Sequence, residues 1–138
     1  DERDLMEWGI KECLERTRVE AIKGGMWIDS MDMVLEKAEM ERKFILTLFH
    51  SHLKEEFCNI ICGWSFSIFD KIIREKSKGQ AIKEQDVQFV IKILTYGLTG
   101  IVVDWLEGGM MESHKKLCEQ VRTLIGDSFE GAIQKFVK

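Results

Sequence analysis

The chain has 138 residues, no proline, and a net charge of −4 from 20 Lys and Arg against 24 Asp and Glu. That length suits one domain able to bury about two thirds of its unfolded surface. With 45% hydrophobic and 32% charged residues it is no disordered chain, and its acidic balance argues against a fragment that grips nucleic acid by itself.

The missing proline fits long helices joined by short loops. Four cysteines, Cys13, Cys58, Cys62 and Cys118, are scattered without a CxxC spacing and read as reduced, intracellular thiols. The start, Asp1-Glu2-Arg3-Asp4, is not a signal peptide. The longest uncharged run, Ile93 to Val103, falls short of the roughly 20 residues of a membrane span. The expected location is cytoplasmic, with no membrane contact.

Apolar residues recur at helical spacing throughout. A first helix is expected over about Arg3 to Lys23, with Leu5, Met6, Ile10, Cys13 and Leu14 on one stripe and Gly24-Gly25 as its stop. A second opens near Asp29-Ser30, which can cap free N–H groups, and carries Met33, Val34 and Lys37. It grades into Phe44, Leu46, Leu48 and Phe49, with a break expected near Glu39 to Arg42. A third runs over about Lys54 to Lys76 with a wide apolar face, and Ser77 to Gln80 is a loop. The next, about Glu84 to Glu107, is apolar nearly all round between Lys92 and Asp104 and should be buried on more than one side. Gly108-Gly109 stops it. The last runs from an N-capping Ser113 to about Val137, with Leu117, Val121, Leu124, Ser128, Ala132 and Phe136 on one seam. With no internal repeat or domain boundary, the expectation is one all-α domain of about six helices over residues 1–138.

Chemistry-bearing motifs are few. Cys58 and Cys62 share a helix face, and His50 and His52 lie nearby, but no second tight pair completes a tetrahedral metal set. Buried thiols and surface imidazoles are the expected reading, with no metal and no cofactor. GxSxG, P-loop, HExxH and GxGxxG patterns are missing. The carboxylate pairs Glu55-Glu56, Asp4 with Glu7, and Asp104 with Glu107 have the spacing of solvated helix faces. The chain is not expected to be an enzyme.

The segment Tyr96-Gly97-Leu98-Thr99-Gly100-Ile101-Val102-Val103-Asp104-Trp105-Leu106-Glu107-Gly108-Gly109-Met110 resembles the penultimate helix of the TetR family of transcriptional regulators. The resemblance is to the subgroup around dihydroxyacetone kinase regulation. There an aromatic-Gly-x-x-Gly leads into Trp-Leu, a Gly-containing stop and a short acidic or Ser start to the last helix, here Glu112-Ser113. Gly97 and Gly100 each cost a helix about 1 kcal/mol relative to Ala, and by clearing one face they permit close helix approach. Asp1 to Met6 is similar to the start of the family's fourth helix, so the whole chain corresponds to the family's body, helices four to nine. The family's helix-turn-helix head, roughly fifty residues ahead of that helix, has no counterpart in the sequence. The chain is therefore expected to be a regulatory body separated from its head, meeting DNA only through that missing region.

The resemblance implies a small hydrophobic effector held between the long helices, with Trp27, Phe57, Ile61, Trp64, Ile68 and Tyr96 as candidate lining. Residues alone leave these as lining or as ordinary core. It also implies a homodimer in which the last two helices of each copy form a four-helix bundle, with Gly97, Gly100, Trp105, Leu117, Val121, Leu124 and Ser128 at the interface. Effector occupancy would then swing the first helix and reset the DNA-binding heads. Two rival readings are a helical protein-interaction module, which requires an exposed apolar patch, and a small helical-bundle enzyme, which requires a cluster of perturbed ionisable groups.

Overall fold

Helices α1 (Trp27–Met40), α2 (Arg42–Phe49), α3 (Lys54–Ser77), α4 (Glu84–Glu107) and α5 (His114–Ile125) follow one another through short connections. The computed structural model describes residues 4–5, 7–12, 15, 27–125 and 133–137. Residues 4–5 and 7–12 are helical too, and no strand occurs among the described residues. The expected Gly24-Gly25 stop, and Met6, Cys13, Leu14, Ser128 and Ala132, lie outside them.

Local chemistry explains the breaks. Glu41, inside the expected window, leaves the helical region (φ −108°, ψ 30°) and separates α1 from α2. Its N–H still bonds Lys37 O, so the chain bends there without reversing. The described α1 starts at Trp27, which puts Asp29 and Ser30 inside its first turn rather than at its cap. A carboxylate in a first turn is favoured by the helix dipole, and Asp29 also meets Arg122 of α5 at 3.1 Å. Gly79, in the α3–α4 loop, takes φ +78°.

The end of α4 is a Schellman motif: Met110 N–H bonds Trp105 O, and Gly109 N–H bonds Leu106 O. Gly109 supplies the left-handed residue at φ +78°, and Met110 follows at φ +57°. Arg42 locks the turn from α2, donating from Nε and Nη2 to Gly109 O at 3.1 and 2.6 Å. Ser113 caps α5 as expected, its Oγ accepting the Lys116 N–H at 3.2 Å.

The frame is the antiparallel pair α3–α4. Lys54 pairs with Glu107 at one end, and Arg74 bridges Asp70 and Glu84 at the other, at 2.9 and 2.8 Å. Exposed pairs of this kind contribute about 0–1 kcal/mol each; they set register. Stability comes from the seam between them, where Ile61, Trp64, Ile68, Phe69 and Ile73 of α3 and Val87, Val90, Ile91, Leu98 and Val102 of α4 are buried. Helix α1 lays Ile28, Met31 and Leu35 into the core, and its Trp27 ring meets Phe69 edge-on, centroids 5.2 Å apart. Helix α5 packs chiefly on α1.

One expectation is corrected. Among the described residues α4 is buried along one face, and on the opposite face Phe89 meets the Phe136 ring edge-on at 6.3 Å. Phe89, Ile93, Tyr96 and Ile101 remain exposed there. By length and composition α4 passes as a membrane-crossing helix, a test that core helices also pass.

Phe69 is completely buried and joins α1 to α3. Phe69→Ala should lower the unfolding free energy by about 3–5 kcal/mol, read from urea unfolding.

Candidate functional site

Two apolar cavities flank the second half of α4. The first, about 560 Å³, lies among α1, α2, α3 and α4. Phe57, Ile61 and Trp64 come from α3, Val102 and Leu106 from α4, and Val34 and Ala38 from α1. Phe44, Ile45 and Leu48 come from α2. Leu5, Gly9 and Ile10 also line it, so the N-terminal helical segment forms part of its wall. Lys37 and Glu41 are its charged lining residues. The size and apolar character suit a small-molecule site. Trp64 borders it, with its Nε1 buried and without a hydrogen-bond partner.

The second cavity, about 710 Å³, lies between α4 and α5 over Trp27 and Phe69. Helix α4 contributes Ile93, Gly97 and Ile101, and α5 contributes Leu117, Val121 and Leu124. Its surroundings are unusually apolar for a surface: Ile93 is 58% exposed, Tyr96 61% and Leu124 86%. A Cβ added at Gly97 or Gly100 would meet no atom within 4 Å. The close approach expected at these glycines is therefore not made to any described part of the chain.

Trp105 walls both cavities. Its ring is fixed by Nε1, which donates to Glu112 O at 2.7 Å across the turn.

The candidate lining residues divide accordingly. Phe57, Ile61 and Trp64 are brought together in the first cavity, while Trp27 lines the second. Ile68 is buried and lines neither, and Tyr96 faces solvent. Of the interface candidates, Gly97, Trp105, Leu117, Val121 and Leu124 line the second cavity, and Gly100 is exposed on α4. Sequence reasoning missed Val34, Ala38, Phe44 and Ile45, whose only signal was ordinary helical periodicity.

Cys58 and Cys62 are half-buried on α3, and burial pushes the Cys58 thiol up, with Lys54 opposing and Glu107 reinforcing. They form no three-donor group with His50 and His52 among the described residues. The exposed Asp104 borders the second cavity, and Glu107 is taken by Lys54. Burial and the neighbouring Asp32 carboxylate push the Cys118 thiol up to about 12.

An all-helical body with apolar cavities on both sides of a glycine-containing helix has the build of a sensor and assembly domain. A family model described as the C-terminal region of a transcriptional regulator, of the TetR type, matches residues 25–127. That span is well over half of the 138 residues, and the chain belongs to this family. No curated protein and no solved structure gave a significant match.

Trp105→Phe keeps a ring between the cavities but deletes the bond to Glu112. It should lower stability by about 1–2 kcal/mol and speed amide exchange over residues 110–113, read by thermal unfolding and hydrogen–deuterium exchange.

Proposed function

We propose that the chain is the effector-binding and dimerisation region of a TetR-type regulator, of the subgroup resembling dihydroxyacetone kinase regulators. The observation that carries this reading is the division of apolar space into two cavities with different neighbours. The first is walled partly by the N-terminal helical segment. The second adjoins the uncovered faces of α4 and α5.

The first cavity is the effector site on this reading. Its lining selects a small, largely apolar molecule. Filling it presses on Leu5, Gly9 and Ile10, and so biases the helix that leads toward the family's DNA-binding head. Effector and operator then oppose or support one another through one coupling energy, about 1–3 kcal/mol in typical cases. The regulator meets DNA through that head and works in the cytoplasm.

The second region is the homodimer interface. Gly97 and Gly100 give a partner helix room to approach, and Ile93, Ile101 and Leu124 give it apolar area to cover. The same uncovered face also fits a protein co-regulator, which is the alternative occupant.

Leu124 is exposed in the single chain, so Leu124→Glu should fold normally and sediment as a monomer while wild type sediments as a dimer. A soluble variant that remains a dimer contradicts this interface. The effector reading is tested in the intact regulator. Small neutral apolar compounds are screened by tryptophan fluorescence, and hits are assayed for operator binding. A hit should change operator affinity by about 5–150-fold, and Ala38→Phe, which fills the cavity, should abolish the response. Operator affinity that is unchanged at saturation contradicts the mechanism.

A further inference from the structure

Three donor groups from two helices converge where α5 begins. Asp32 and Glu36 lie one turn apart on α1, and His114 is the first residue of α5. One ligand atom from each lies within 4.8 Å of the other two. The His114 side chain is only 8% exposed, and its Nε2, 3.4 Å from Asp32 Oδ1, is buried without a hydrogen-bond partner.

The other ring nitrogen is held. His114 Nδ1 lies 2.9 Å from Glu39 Oε2, and Glu39 Oε1 accepts the His114 backbone N–H at 2.7 Å. With Nδ1 engaged by Glu39, the ring presents Nε2 on its other side, 3.4 Å from Asp32 Oδ1 and within 4.8 Å of a Glu36 oxygen. Metal-bound imidazoles are oriented in this way.

We propose that Asp32, Glu36 and His114 bind a divalent transition-metal ion, with zinc the best chemical match. One imidazole and two carboxylates form a mixed N/O set, whereas magnesium and calcium favour oxygen alone. Two ligands about 2.0–2.1 Å from a tetrahedral zinc stand about 3.3–3.4 Å apart, the separation found between Nε2 and Asp32 Oδ1. Glu36 is exposed, with an oxygen within 4.8 Å of the other two ligand atoms, and supplies the third ligand. Three protein ligands leave one position open to water or a further donor. The ion ties α5 to α1, whose Val34 and Ala38 wall the first cavity while Leu117 and Val121 of α5 wall the second. Metal occupancy therefore stiffens the joint between the two regions. This inference does not depend on the effector reading.

The test is calorimetric titration of the metal-stripped full chain with zinc sulfate, and with magnesium as control. The expected result is one zinc per chain, a raised Tm, and no heat with magnesium. Glu36→Gln alters an exposed side chain and should preserve the fold while weakening zinc at least about tenfold; Asp32→Asn should do the same, and Glu39→Gln should weaken it about 10–100-fold. The double variant Cys58→Ser with Cys62→Ser should bind as wild type does. No zinc uptake by wild type overturns the proposal. So does binding that survives both Glu36→Gln and Asp32→Asn, or binding that disappears with the two cysteines.

Discussion

Helix α4 carries more apolar surface than the described residues around it cover, and much of the structure follows from that imbalance. Its inner face fills the seam with α3, where Val90, Ile91, Leu98 and Val102 are buried. At about 25 cal/mol per Å² of apolar area removed from water, this seam outweighs the exposed ion pairs at its ends, which select the register. On the outer face Ile93, Tyr96 and Ile101 stay exposed among the described residues, while Phe89 meets the Phe136 ring. Gly97 and Gly100 sit within that face, and no described side chain approaches them. Helix-weakening residues on an uncovered apolar face make sense when the missing partner is another molecule.

The connections around α4 carry structural information between regions. The turn after it is held three ways: by its own Schellman bonds, by Arg42 from α2, and by Trp105 Nε1 on Glu112 O. Trp105 borders both cavities, so a displacement of its ring alters the walls of both at once. Helix α1 completes the circuit. It contributes to the first cavity and bears α5 through Asp29 with Arg122 and Glu39 with His114. These contacts give the proposed effector and interface regions a continuous mechanical path through packed side chains and hydrogen bonds.

Much of the fold was legible in the sequence. The bounds of α4 came from the apolar run and the Gly108-Gly109 stop, the α1–α2 break from a charged cluster, and the start of α5 from Ser113. The N-terminal limit of α1 was less legible, because Asp29 and Ser30 act inside the first turn as well as at caps. The site was read only in part. Helical period says which face a residue occupies; it does not say whether that face borders filled core, empty space or solvent. Ile68 and Tyr96 have the same spacing signal as Ile61 and Trp64, yet Ile68 is packed solid and Tyr96 points outward. The Asp32, Glu36 and His114 group was invisible for another reason. Its His114 lies 75 residues from its orienting partner Glu39, a separation that only the packing of α5 on α1 closes.

The central claim is that the uncovered face of α4 and α5 meets a second copy, while the cavity at Trp64 belongs to a single chain. Amide hydrogen exchange measured across a dilution series separates the two regions directly. Exchange over residues 93–108 and 117–125 should quicken as the protein is diluted, while exchange over residues 57–68 stays constant. Exchange that is independent of concentration throughout, or that rises equally in all three segments, contradicts the account.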